Sequence, residues 1–221
     1  MTVALIGCVS GVYCLSFAFD IPDSVLGLVV SSTIFNHYIW NLVTCALYEQ
    51  NFIRLLFSIV GIIVASPKQL DYSPTDQFLL YMIVTTVLTS FATTTYCLVR
   101  FFSTGSEVMV MEPIYGCGGI IVALAMYSRK FLGKASILSS FIETTSPDTA
   151  VLSMVTYHNF PVVFIVFSLL CWLFRMRWLA LDTSFAICSC VVSWSYLRFF
   201  YHNEDGSVGT EFDEFQFVNM F

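Results

Sequence analysis

Four residues near the middle of this chain have types and spacing that chemistry can use. Gly116-Cys117-Gly118-Gly119 place one thiol among glycines, inside a long apolar run that follows Glu112-Pro113. A thiol attacks as its thiolate, so it needs a basic or cationic neighbour. The chain offers three histidines, His37, His158 and His202, and all lie outside its last apolar run. Glycine serves a second purpose, because it lets a neighbouring helix backbone come very close. The cluster therefore reads either as a site or as a packing device. The segments around it must decide.

Those segments are unusually apolar. Of 221 residues, 57% are hydrophobic and only 11% are charged, with a mean hydropathy of +0.81. A soluble domain needs about 25% charged residues to cover its surface. The shortfall and the long charge-free runs indicate an all-α, polytopic helical membrane bundle. A net charge of −6 argues against nucleic acid as a partner. The eight cysteines sit almost entirely within apolar runs, which suits small packing residues better than a disulfide framework. No spacing suggests a metal site, and no cofactor is expected.

Six spans follow from the runs. Val3 to Phe19 is the first. Ser24 to Tyr48 mixes Asn36, His37, Asn41, Tyr38 and Trp40, which favours the headgroup level. Phe35 to Tyr48 is accordingly expected as an interfacial helix or hairpin. Leu55 to Ser66 is the second span, with Arg54 snorkelling to the interface. Gln77 to Val99 is the third, and its threonines are expected to bond back to the helix. Pro113 to Ser128 is the fourth, opened by Pro113. Thr149 to Phe174 holds the fifth, which Pro161 either opens or kinks. Thr183 to Leu197 is the sixth, and residues 1–201 form one membrane domain. Residues 202–221 form an acidic and aromatic tail, including Glu211-Phe212-Asp213-Glu214-Phe215. Six spans put both termini on one side, expected to be the cytosol. Lys and Arg divide five against four between the two sides, so charge alone does not orient the bundle.

Two resemblances carry the reading further. His37-Tyr38-Ile39-Trp40-Asn41, with Thr44 and then Glu49-Gln50, resembles the first luminal loop of the rhomboid superfamily, where an arginine is usual at the place of Asn41. Gly116 to Gly119 resembles the rhomboid G-x-S-G segment, with Gly118 at the serine's place. The matching histidine should fall near Ala186 to Cys188, and none is there. Ser193-Trp194-Ser195-Tyr196-Leu197-Arg198-Phe199-Phe200-Tyr201 looks like the signature of the transmembrane protein 115 family. So do Leu15-Ser16-Phe17-Ala18 with Asp20, and Gly118-Gly119-Ile120-Ile121-Val122-Ala123-Leu124. These pieces keep the family order along nearly the whole chain. The sequence departs at Ser66-Pro67-Lys68, where relatives carry Leu-Glu-Pro, and it stops at Phe221, where relatives continue.

The resemblance implies a rhomboid-like, non-proteolytic membrane protein of the Golgi, acting in retrograde transport to the endoplasmic reticulum. Its implied partners are the lipid bilayer, transmembrane clients and Golgi tethering machinery, with homo-oligomers allowed. A membrane quality-control factor and an intramembrane protease are the alternatives. The candidate residues are the degenerate site Gly116, Cys117, Gly118 and Gly119, and the interfacial recognition residues His37, Trp40, Asn41 and Glu49. Trp194, Tyr196, Leu197, Arg198 and Phe199 form the family signature. Cys117 lies one helical position from Gly118, about 100° around the axis, so it is expected to pack elsewhere. Glu49 is expected to hold a structural position near Arg54, and Asp182 to pair with Arg175 or Arg177. Gly7 with Gly11, Ser184 with Cys188 and Ser189 with Ser193 are expected small-residue contacts. A transporter would need carboxylates in mid-span, and spans three to five have none.

Overall fold

The structure, a computed structural model, describes residues 2–66, 75–132, 156–174 and 183–201. The tail from residue 202, Arg175, Arg177 and Asp182 lie outside them. Among the described residues the chain is helical, with one isolated antiparallel bridge between Leu28 and Ile114. The helices are α1 (Thr2–Ala18), α2 (Asp23–Leu26), α3 (Val30–Phe35), α4 (Asn41–Thr44), α5 (Phe52–Ala65), α6 (Thr75–Thr104), α7 (Val108–Met111), α8 (Gly118–Leu132), α9 (Phe160–Leu173) and α10 (Thr183–Phe199).

The bundle is built around α8. Every residue from Gly118 to Arg129 is buried. A helix that is apolar all round belongs in an interior, and here α5, α6, α9 and α10 all pack on it. Tyr81 of α6 donates its hydroxyl to the Ala123 carbonyl of α8 at 2.8 Å, and Ser128 of α8 donates to Ala65 of α5 at 2.5 Å. Beyond them, Phe78, Tyr81, Tyr127, Phe131 and Tyr201 form a run of aromatic contacts at the end of α8. Tyr196 meets Tyr81 at a tilt, with centroids 5.4 Å apart, Leu197 is fully buried, and Trp194 and Phe199 meet edge to face. Arg198 closes the last turn of α10, where a cation complements the helix dipole.

Helix α6 shows why the surface suits a bilayer. Thr85, Thr89, Ser90 and Thr93 are buried, while Leu80, Ile83, Phe91 and Phe102 on the same helix are exposed. Hydroxyls inside and large apolar groups outside reverse the soluble pattern, and exposed apolar surface on this scale marks a membrane face. Among the described residues, one helix, Asp76–Thr104, is long and apolar enough to cross a membrane, and Thr2–Ala18, Phe52–Ala65 and Phe160–Leu173 are shorter apolar helices.

Several expectations change. Pro113 does not open a helix: residues 113–117 are irregular, Ile114 pairs with Leu28, and α8 begins only at Gly118. Pro161 does open α9, within its first turn. Arg54 does not reach out; it is buried, with its guanidinium carbon 5.3 Å from the centre of the Tyr115 ring. A cation over an aromatic face trades hydration for the ring quadrupole. Among the described residues, nothing lies within 4 Å of a would-be Cβ at Gly7 or Gly11. Residues 35–48 are neither one helix nor a span: α3 ends at Phe35, α4 is a single turn, and His37 has a positive φ of 56° between them.

Candidate recognition site around Glu49

The short segments before α5 have a local logic. A single-turn helix such as α2 leaves its last carbonyls without helical partners. Three side chains of α4 and its N-cap residue supply donors. The Trp40 indole N–H donates to Val25 O at 3.1 Å, the Asn41 amide to Ser24 O at 3.5 Å, and the Thr44 hydroxyl to Leu26 O at 2.9 Å. The tryptophan-to-threonine spacing of four is therefore one helical turn of donors aimed at one stack of acceptors. Trp40 is also stacked on Tyr38 and remains half exposed, while His37 is exposed. Asn41, at the place of the usual arginine, is fully buried.

Glu49 behaves differently from the residues it was grouped with. It is fully buried. Its Oε1 accepts the Ser58 hydroxyl of α5 at 2.5 Å and the Cys117 backbone N–H at 2.9 Å. Cys117 O accepts the first bond of α8, from Ile121 N at 2.9 Å. Glu49 thus serves the N-cap residue of α8 as a capping-box glutamate would, but from 68 residues away. Its carboxyl group also lies at the N-terminal end of a 15-residue helix, where the helix dipole favours an acidic side chain. Gly116 sits against the carboxylate, with a would-be Cβ 3.6 Å from Oε1 and φ at +131°. Its N–H donates to Cys45 O at 2.9 Å.

A second layer closes over this joint. Asp23 accepts from the Tyr48 hydroxyl at 2.6 Å and from Gln50 Nε2 at 2.7 Å. Gln50 in turn accepts from Tyr115, whose ring carries Arg54. Burial, and then the Asp23 carboxylate, push the Tyr48 hydroxyl far above its ordinary pKa, so it remains a donor at physiological pH. Residues 23, 48–50, 54, 58 and 115–117 form one polar joint between the surface segment, α5 and the start of α8. Sequence spacing could not assemble it, since its members lie up to 94 positions apart, from Asp23 to Cys117. The signal available was an acidic residue beside Arg54 at the end of an apolar run.

The glycine cluster divides between two surroundings. Gly116 and Cys117 belong to the Glu49 joint, and Gly118 opens α8. Gly119 belongs to the contact with α10. A Cβ there would lie 2.5 Å from Phe185 Cε1, and the Ser189 hydroxyl donates to Gly119 O at 2.6 Å. Of the small-residue pairs, Ser189 with Ser193 is buried in this contact, and Ser184 with Cys188 is only partly buried. The described imidazoles are elsewhere. His158 Nε2 is 3.5 Å from Arg129, which lies twelve residues, or about 18 Å, along α8 from Cys117. The charged group bonded to the Cys117 backbone is a carboxylate, whereas an attacking thiol needs a base or a cation.

A helical bundle with its hydroxyls turned inward and its phenylalanines outward is the build of an integral membrane protein. The chain belongs to the family described as eukaryotic integral membrane protein (DUF1751), whose sequence profile matches residues 3–221. Searches of curated proteins and of solved structures gave no match.

Proposed function

We propose that this chain is a six-span, rhomboid-like Golgi membrane protein without catalysis, acting in retrograde transport to the endoplasmic reticulum. It would do so by binding transmembrane clients and tethering factors. Family membership supports the membrane setting. Six helices of 14 residues or more, α1, α5, α6, α8, α9 and α10, support the six-span reading; among them α6 is long and apolar enough to cross, and α1, α5 and α9 are shorter apolar helices. Those shorter than the roughly 20 residues of a full span would cross by extended flanks or local thinning of the bilayer.

The observation that carries the non-catalytic reading is Phe185 on Gly119. In a rhomboid the serine and histidine face each other between the fourth and sixth spans. Here the serine's place is Gly118 and no histidine lies at Ala186 to Cys188; one position further along α8 and one position earlier on α10, the Phe185 ring lies on Gly119. Recognition is what remains for such a bundle, and the buried Glu49 joint gives it a rigid surface segment carrying Trp40 and Tyr38.

The test is the return of Golgi residents to the endoplasmic reticulum in cells lacking the protein. Return should slow and recover on re-expression. Unchanged kinetics defeats the reading, and residence in the endoplasmic reticulum rather than the Golgi would favour the quality-control alternative.

A further inference from the structure

The two ends of the bundle carry different charge. The end where α8 closes holds Arg129 and Lys130 in the last turn of that helix and Arg198 in the last turn of α10. His158 brings its Nε2 to 3.5 Å from Arg129. Tyr201 ties the two helices together there, with its ring centre 6.0 Å from that of Tyr127 and 3.3 Å from Lys130 Nζ. Among the described residues one acid, Asp76 at the start of α6, shares this end. The other described acids, Asp20, Asp23, Glu49, Glu107 and Glu112, lie on the side of the Glu49 joint, with Arg54 and Arg100.

Chain connectivity brings an anionic segment to these cations. Residues 202–221, outside the described residues, follow Tyr201 directly. They carry Glu204, Asp205, Glu211, Asp213 and Glu214 and no lysine or arginine. Glu204 is three residues beyond Tyr201 and Asp205 four, so their backbones stay within about 14 Å of it, whatever path the chain takes. That is comparable to the screening length of about 10 Å at 0.1 M salt, and a carboxylate side chain shortens the gap. So short a tether also gives an effective concentration of the order of millimolar. Ion pairs too weak to join separate molecules are enough on such a tether. Lys130 and Arg198 are partly exposed, so carboxylates can reach them.

We propose that the acidic tail docks on this cationic end, with Glu204 and Asp205 against Lys130 and Arg198, and that a partner of the tail displaces it from there. The acids that follow, Glu211, Asp213 and Glu214, are interleaved with Phe212, Phe215 and Phe217. A protein that takes the aromatic stretch must therefore compete for these charges, and it should present a cationic surface. This deepens the tethering reading above and rests on it.

The experiment uses the full chain in phosphatidylcholine nanodiscs. A water-soluble carbodiimide joins a lysine amine to a carboxylate in contact with it, and mass spectrometry identifies the pair. Lys130 should be joined to the tail, first of all to Glu204 and Asp205. The yield should fall about threefold from low salt to about 0.5 M, the size expected for exposed ion pairs. Arg198→Gln should lower it, and Arg198→Lys should keep it. Penta-arginine, standing for a cationic partner, should compete and lower it too. Lys130 joined only to Asp76, Glu143 or Asp148 overturns the proposal. So does a yield that ignores salt, Arg198→Gln or penta-arginine. Links to the tail that vanish when about a third of the lipid is phosphatidylglycerol give the cations to anionic headgroups, and also overturn it. The transport assay fails separately. Unchanged Golgi return in cells lacking the protein defeats the transport reading and leaves the docked tail standing. Slowed return with no link from Lys130 to the tail defeats the docking alone.

Discussion

Gly116 and Gly119 are three residues apart, and they are glycine for different reasons. Gly116 lies at φ +131°, in a joint of hydrogen bonds around a buried carboxylate. Gly119 lies in a regular helix, where the limit is the Phe185 ring on its surface. The first is fixed by backbone conformation and polar partners, the second by volume. One glycine-rich motif can therefore serve two kinds of constraint, and a motif reading that treats it as one object misses both.

The two constraints break differently. The largest effect is expected from Glu49→Ala. It leaves the Ser58 hydroxyl and the Cys117 N–H buried without their shared acceptor, and unsatisfied buried groups cost about 1–3 kcal/mol each. A loss of about 3 kcal/mol in thermal unfolding is expected, with Glu49→Gln losing less because its amide oxygen still accepts. If Glu49→Ala unfolds like wild type, the polar half of the comparison is wrong.

Next come the glycines. Gly119→Ala should lose about 2 kcal/mol by overpacking, and Phe185→Leu should recover most of it in the same chain. Gly116→Ala should also lose about 2 kcal/mol, through backbone strain at positive φ, and Phe185→Leu should recover none of it. The two double-mutant cycles separate volume from conformation. Recovery of both by Phe185→Leu would mean that one packing constraint governs the whole cluster.

What could be read in advance follows the same division. The threonines of α6 were legible because back-bonding is local: donor and acceptor are four residues apart in any helix. Glu49 was legible only as a carboxylate near Arg54. Its burial depends on Ser58 and Cys117, and Cys117 is brought to it by tertiary contacts, the pairing of Leu28 with Ile114 and the bond from Gly116 N–H to Cys45 O. That pairing also hid the start of α8. Residues 113–117 carry no charge, so they count as part of a span although their backbone is irregular. Gly7 and Gly11 show the converse case, since small residues at helical spacing mark a contact only if something is there to meet them, and among the described residues nothing lies within 4 Å of a Cβ at either.

A smaller effect is expected at Trp40, on the exposed side of the joint. Trp40→Phe keeps an aromatic ring but removes the donor to Val25, so α2 loses one carbonyl partner. A net loss of about 1 kcal/mol in thermal unfolding is expected, as for an ordinary hydrogen bond. A loss as large as that of Glu49→Ala would mean that the surface segment holds the joint together, rather than the reverse.

The smallest effect is expected at Cys117, the thiol inside the glycine cluster. Glu49 accepts the backbone N–H of Cys117, not its thiol, so Cys117→Ala keeps the bond that ties the surface segment to α8. What is lost is one buried sulfur and its contacts, about 1 kcal/mol as for an ordinary core truncation. Golgi return in cells expressing Cys117→Ala should match wild type. The pairing of measurements matters here. Slow return with lost stability would be a packing effect, whereas slow return with stability intact would give the thiol a chemical role. That second result would undo the division drawn above, because position 117 would then matter for its side chain and not for the backbone hydrogen bond that places it.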